Sequence, residues 1–538
     1  MCGIFYVKSK NMTNAHRTGW NGILEAFHET KSRGPDRSEL RHFEDQVFGF
    51  HRLAINGLDK RGDQPFCMVS NKNHRVSLII NGEIYNHREL AKQYNLPLTT
   101  GSDCEVFLHL YHKFGLANCI NLLDGVFAFV LVDGEDVYVG RDAVGVRPVY
   151  YRRHGEELAV SSTPLGLEGF QSNFTPTKQV ARGSYIHFTG KYADLISWYH
   201  LPKPTKTDDH IKIKIKDTLI NAVKKRLLSQ RPIGCLLSGG LDSSLIASIL
   251  SKEMRKSNIK LKTFSIGFSP NATDLIAARK VAEFLGTDHQ EIVVSTKEAF
   301  ESINEVIKEL GSYDITTVRA SVGMYLICKW ISKNTDIKVL FSGEGADELF
   351  CGYLYFHHAP SSKELEKESR RLVDELQFFD VLRSDRTVSC HGLELRVPFL
   401  DKTVIELALR IPGEERHPKN TMEKFLLRSA FDDGTYIPRE ILWRRKEGFS
   451  DGVGSKEDPW YRKVQEYTED IIKDREILIA RLDNLAEPVT KESVYYYKIY
   501  HDYYQNTVVP IPHQWMPKWM DTNDPSGRVV AVPDEVKE

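Results

Sequence analysis

The chain has 538 residues, 41% hydrophobic and 27% charged, with Lys+Arg 72 against Asp+Glu 73. A single core stops growing near ~250–300 residues, so two large domains or more are expected. The balanced charge leaves no electrostatic footprint for nucleic acid or an anionic membrane surface. No apolar run reaches the ~18 residues of a transmembrane helix, and no basic-then-apolar leader opens the chain. The cysteines, Cys2, Cys67, Cys104, Cys119, Cys235, Cys328, Cys351 and Cys390, form no CxxC pair. Zinc and thioredoxin-like readings therefore have little support, and a reduced, cytoplasmic setting fits best.

To about residue 195 the pattern predicts many short strands and few helices. Helices are expected over Thr18–Lys31 and Asp103–Phe114. Val76–Ile80 is an apolar strand running into Asn81-Gly82. Val126–Val132 and Val137–Val139 flank Asp133-Gly134-Glu135-Asp136, a hairpin signal. Further strands are expected over Arg147–Arg152 and Glu157–Ser161. This predicts an α+β unit of stacked antiparallel sheets. Leu201–Lys206 reads as a linker. From Ile211 the pattern becomes helix, strand (Ile233–Leu237), helix (Ser244–Met254), strand (Leu261–Phe268), helix (Leu275–Leu285), strand (Glu291–Val294), with another strand at Ile337–Phe341. Such alternation predicts an α/β unit with a parallel sheet, and the region after about residue 360 reads as mostly helical.

Cys2 becomes the first residue if Met1 is removed. It then carries a thiol and an α-amine of pKa roughly 8, a nucleophile and its own base. Alone it reads more simply as a core cysteine. Other segments add to it. Arg52 offers a guanidinium for a carboxylate. Asn81 and Gly82 offer an amide and a backbone N–H for an oxyanion. Asp103 stands at an expected helix start, where it could equally be an N-cap. Cys2-Gly3-Ile4, Arg33-Gly34-Pro35-Asp36, Asn81 to Asn86, Gly101-Ser102-Asp103 and Asp124 to Ala128 together resemble the class II glutamine amidotransferase domain. The resemblance implies an N-terminal nucleophile hydrolase sandwich over residues 2–195. In it Cys2 attacks the glutamine amide, Arg52 clasps the α-carboxylate, Asp103 holds the α-ammonium with help from Glu83, and Asn81 and Gly82 form the oxyanion hole.

Ser238-Gly239-Gly240-Leu241-Asp242-Ser243-Ser244 follows an apolar strand. Gly239 and Gly240 let the backbone approach an anion, and the N–H groups and the hydroxyls of Ser238, Ser243 and Ser244 are donors for phosphate. Asp242 would repel phosphate unless a cation intervened, which implies Mg²⁺. The spacing is not Walker A, and a turn that merely caps a helix is the simpler alternative. The segment resembles the PP-loop of ATP pyrophosphatases. A second turn, Ser342-Gly343-Glu344-Gly345-Ala346-Asp347-Glu348, also ends a strand, so the two suit adjacent strands of one parallel sheet.

With Tyr313–Ser321, Gly352–His357, Glu394–Asp401 and Lys446–Gly452, the whole set resembles the glutamine-hydrolysing asparagine synthetases. The likeness runs from Cys2 to Asn523–Arg528, and His391–Glu394 and Ile441–Arg444 look closer to the eukaryotic branch. It implies a synthetase unit over residues 211–538. There Leu236 and Ile266 contact adenine, Ser342 and Gly343 line the nucleotide site, and Asp242 and Asp347 hold Mg²⁺ and pyrophosphate. Glu344 lies beside a β-aspartyl-AMP. Thr316 and Arg319 serve aspartate or pyrophosphate and Lys446 serves ATP; for Lys446 and Arg319 an ordinary ion pair is the alternative. Glutamine, aspartate and ATP would be substrates, and a cytosolic homodimer is implied by the resemblance alone. Rival readings are a related amidotransferase acting on another carboxylate and a silent glutamine or nucleotide sensor.

Overall fold

The computed structural model describes residues 1–9, 19–70, 73–170, 174–418, 421–482, 485–505 and 511–527. Thr18 of the first expected helix and Arg528 lie outside the described residues. The strands of the first half are β1 (Gly3–Lys8), β2 (Arg37–Phe43), β3 (Gln46–Arg52), β4 (Phe66–Val69), β5 (Arg75–Ile84), β6 (Gly125–Asp133), β7 (Asp136–Arg141), β8 (Tyr150–His154), β9 (Glu157–Ser161), β10 (Lys178–Gln179), β11 (Ser184–Thr189) and β12 (Tyr192–Ser197). They form two six-stranded sheets, ordered β10-β8-β9-β1-β3-β2 and β12-β11-β7-β6-β5-β4. Their pairings are antiparallel.

Period-two alternation sorts the side chains into layers. Ile4 and Tyr6 of β1 meet Ile79, Val130 and Val139 of the other sheet inside the sandwich. Phe5 and Val7 turn outward onto Ile23 and Phe27 of the helix Trp20–His28. Leu78 and Ile80 of β5 turn outward onto the helix Glu105–Phe114 through Val106, Phe107 and Leu110. Each fully buried large apolar side chain contributes roughly 1.5–3 kcal/mol. A one-residue slip would exchange the two sets, so the register is strongly fixed.

The expected hairpin is present, with Asp133 paired to Asp136 and Gly134 at φ 63°. The strand expected from Arg147 starts only at Tyr150. The cause is Asp142, whose carboxylate accepts the backbone N–H groups of Val144, Gly145, Val146 and Arg147. Those donors are therefore lost to a ladder.

The second half contains β13 (Ile233–Leu236), β14 (Lys262–Gly267), β15 (Asp288–Val293), β16 (Val339–Phe341) and β17 (Glu394–Arg396). They form one parallel sheet ordered β15-β14-β13-β16-β17. The chain builds outward from β13 through β14 to β15, then crosses to β16 on the other side. The switch in direction leaves a crevice at the C-terminal ends of β13 and β16, where open α/β sheets bind ligands. β17 lies in the region expected to be mostly helical. With three residues it shows no periodicity of its own, and partners distant in sequence make it a strand.

Candidate active sites

Cys2 sits at the entry to β1. Its backbone N–H donates to Asn81 Oδ1 at 2.8 Å, and its thiol points to the Leu53 carbonyl at 3.7 Å. Asn81 lies on β5 and is fully buried, and its Nδ2 has no hydrogen-bond partner among the described residues. An unpartnered buried donor costs free energy unless a ligand uses it. Here it lies on the residue that already holds the Cys2 backbone. Gly82 follows on β5, and a Cβ there would come within 2.3 Å of the Val126 carbonyl. Position 82 therefore requires glycine. Burial raises the Cys2 thiol. With Met1 attached, the Cys2 nitrogen is a non-basic amide, so the internal base of the proposed nucleophile exists only after Met1 is removed.

Glu83 and Asp103 form a buried acidic corner, with the Asn56 amide donating to both. Ile84 N–H donates to Asp103 Oδ2 at 2.6 Å, and Asn56 Nδ2 donates to Glu83 Oε2 at 2.8 Å. The N-cap alternative for Asp103 falls away, because the following helix begins at Glu105 with no side-chain cap. Burial raises both carboxyls, and for Glu83 the charge of Asp103 adds to it. A cationic ligand would relieve this, as an α-ammonium group does. Asn56 was not singled out from the sequence; no local pattern marks it. Arg52 is buried and donates to Asp63 Oδ1 at 2.7 Å and to the Asp59 carbonyl at 2.6 Å. It braces the loop after β3 and would offer a carboxylate only what those bonds leave.

In the second half a cavity of about 230 Å³ lies between the turns that end β13 and β16. Leu236, Ser238, Gly240, Asp242, Ser243, Ile266, Thr316, Ser342, Gly343, Glu344, Asp347 and Lys446 line it. The turns touch: a Cβ on Gly343 would lie 2.8 Å from the Asp242 backbone. Gly239, Ser244 and Arg319 do not line the cavity. Gly239 has φ 72° and its carbonyl accepts from Arg444 at 3.2 Å. Ser244 is buried on the inner face of the helix Leu241–Arg255. Arg319 is turned into a buried ion pair with Glu492 and Asp524.

Lys424 holds the charge balance and was missed in the sequence. It is buried at φ 59°, and its Nζ lies 2.5 Å from Asp242 and 2.7 Å from Asp347. Lys446 Nζ meets Asp347 Oδ2 at 2.6 Å. Burial opposes the Asp347 charge, but Lys424 and Lys446 outweigh it and hold this carboxyl well below the usual range. No local pattern marks Lys424: it stands between Glu423 and an apolar stretch, with Arg428 just beyond, and reads as an ordinary charged helix residue. Asp242 Oδ1 is buried with no hydrogen-bond partner among the described residues. Two carboxylates with spare oxygen valence fit a Mg²⁺ that shares substrate phosphates, since that ion commonly takes one or two carboxylates from the protein.

Glu344 accepts from Arg383 Nη2 at 2.7 Å and from Ser342 Oγ at 3.3 Å. Burial raises its carboxyl despite Arg383. Arg383 belongs to the helix Asp380–Ser389, which stands between the two sites. From its other face, Asp385 and Ser389 accept from the buried Arg33 Nη1 at 2.8 Å each. Arg33 Nε in turn donates to the Cys2 carbonyl at 3.1 Å. The halves are further joined by Arg141 to Gln377 at 2.9 Å and by Arg396 to Glu83 at 3.3 Å.

A cysteine held by a buried asparagine with an unpartnered amide in one half, and a cavity at the switch point of a parallel sheet in the other, are the arrangement of a two-site enzyme of the glutamine amidotransferase class. Family models agree: the glutamine amidotransferase domain matches residues 1–193, and asparagine synthase matches residues 214–378 and 360–508. Asparagine synthetases (glutamine-hydrolysing) of Homo sapiens, Bos taurus and Gallus gallus are each 43% identical to this chain, over 93% of it and 94% of each relative. The chain belongs to the glutamine-hydrolysing asparagine synthetase family.

Proposed function

We propose that this chain makes asparagine from aspartate, ATP and glutamine, with residues 2–195 as the glutaminase and residues 211–538 as the synthetase. The observation that carries the reading is the free Asn81 Nδ2 beside Cys2, joined through Arg33 and one helix to the Glu344 cavity. Once Met1 is removed, the Cys2 amine takes the thiol proton and sulfur attacks the glutamine amide carbon. Asn81 Nδ2 and the Gly82 N–H receive the oxyanion. The amine returns its proton to the departing ammonia. Water then releases glutamate from the thioester.

In the second site the aspartate β-carboxylate attacks the α-phosphorus of ATP and pyrophosphate leaves. Asp242 and Asp347 would hold Mg²⁺, which when bound neutralises phosphate charge. Lys446 and Lys424 add positive charge from the protein side. Ammonia attacks the β-aspartyl carbonyl, AMP departs, and Glu344 accepts the surplus proton. A carboxyl raised by burial is the better base for that step. Ammonia must travel unprotonated. An apolar cluster shared by both halves, including Leu53, Ile55 and Val146 with Leu237, Leu395 and Val397, supports a dry route. We further infer a cytosolic setting, for which the eight free cysteines speak, and a homodimer, for which the family likeness alone speaks.

The test is a screen of amino-acid carboxylates with ATP, Mg²⁺ and glutamine, measuring AMP and amide product. Aspartate alone should turn over quickly. In Cys2→Ala the glutamine-dependent reaction should vanish while added ammonium still supports synthesis. A preference for another carboxylate would sink the assignment.

A further inference from the structure

The segment Thr316-Thr317-Val318-Arg319 was expected to meet aspartate or pyrophosphate, yet its arginine is committed elsewhere. Arg319 lies on the helix Ile315–Asn334, whose Thr316, Ala320 and Met324 face the cavity. Its side chain flanks that stripe. Nε and Nη2 donate to the two oxygens of Glu492 at 2.7 and 2.5 Å. Nη1 and Nη2 donate to the two oxygens of Asp524 at 3.2 and 2.8 Å. A guanidinium has five N–H donors, so little capacity remains for a phosphate. Burial opposes the charge, but Glu492 and then Asp524 outweigh it and hold Arg319 firmly protonated.

Asp524 belongs to the segment 511–527, a strap that forms part of the cavity wall. Trp515, Pro517, Pro525 and Gly527 of the strap line the cavity. Its other end is also tied to the helix start: Trp515 N–H donates to Asp314 Oδ1 at 2.6 Å, and Ile315 N–H donates to Gln514 Oε1 at 3.0 Å. Beyond Asp524, Ser526 Oγ donates to Asp451 Oδ1 at 2.6 Å, reaching the short helix Phe449–Gly452 that follows Lys446. The strap is thus pinned at both ends to elements that also wall the cavity.

We propose that Arg319 is a positioning residue: through Asp524 it holds the 511–527 strap as a wall of the adenylation cavity, and it does not touch the pyrophosphate. The proposal rests on the synthetase reading above. Its test uses the full chain, with Asp524→Ala, Arg319→Ala and the double variant. Glutaminase activity serves as the folding control, and ammonium-dependent synthesis gives KM for ATP and aspartate separately from kcat. Loss of a positioned wall should raise KM for ATP or aspartate on the order of tenfold, within the range that misplacing a binding surface produces. Asp524→Ala should reproduce most of the Arg319→Ala defect, and the double variant should be no worse than Arg319→Ala alone. Limited proteolysis should release the strap faster in all three. The proposal is overturned if Asp524→Ala keeps wild-type KM values while Arg319→Ala loses kcat, or if the strap is cleaved at the wild-type rate. Wild-type enzyme that forms no AMP with aspartate would instead overturn the synthetase reading, and the proteolysis arm would still decide whether Arg319 anchors the strap.

Discussion

Asn81→Ala is the sharpest perturbation of the glutaminase site. It removes two bonds with different roles. In the proposed mechanism the unpartnered Nδ2 receives the oxyanion, and losing one such donor costs about 10²–10³ in kcat, or ~2.7–4 kcal/mol. The Oδ1 that holds the Cys2 nitrogen at 2.8 Å is worth a further ~0.5–1.5 kcal/mol as a single hydrogen bond. Together these place the glutaminase kcat roughly 10²–10⁴ below wild type. Glutamine KM should change little, because the oxyanion exists only in the transition state. The assay is glutamate release by the processed enzyme, with ammonium-dependent asparagine synthesis measured on the same preparation. That second rate should be unchanged. A glutaminase kcat within tenfold of wild type, or a loss confined to KM, would refute the oxyanion assignment.

Glu344→Gln should lower asparagine formation about 10²–10⁴-fold with either nitrogen source, the usual loss for a general base, while glutamine hydrolysis persists; parallel assays with glutamine and ammonium decide it. Asp242→Asn should weaken Mg²⁺-dependent ATP use, read as aspartate-dependent pyrophosphate release, and spare glutamate release; equal damage to both half-reactions would point to obligatory coupling. The glutamine KM should rise as pH falls below neutral. Burial raises Asp103 and Glu83, so their neutral forms persist to higher pH than usual and compete against binding of an α-ammonium. A KM profile that is flat from about pH 5 to 8 would remove these carboxylates from substrate binding.

The motifs that bind through backbone and short side chains were legible in the sequence. Ser238–Ser244 and Ser342–Glu348 each end an apolar strand, which is a local pattern, and the fold then pairs those two strands, β13 and β16, side by side. The hairpin after Asp133 was legible for the same reason: its turn chemistry is local. Lys424 was not, because its meaning comes from Asp242 and Asp347, which lie far from it in the chain. Asn56 and Arg383 are of the same kind; each acts on a carboxylate of another segment. For Arg319 the sequence left two readings open, a contact to aspartate or pyrophosphate and an ordinary ion pair; the carboxylates that pair with it, Glu492 and Asp524, come from the last part of the chain. Local period cannot report partners of that separation, and it also hides β17.

The helix Asp380–Ser389 carries Arg383 on the Glu344 side and Asp385 on the Arg33 side. A rigid rod held at both faces has few independent motions. If nucleotide or aspartate favours one setting of this helix, the Cys2 carbonyl feels that setting through Arg33, and glutamine bound at Cys2 must favour the same setting in return. Thermodynamic linkage makes the two effects equal in binding free energy. Measuring how much ATP and aspartate tighten glutamine therefore also measures how much glutamine tightens them, and a single number describes the conversation between the sites.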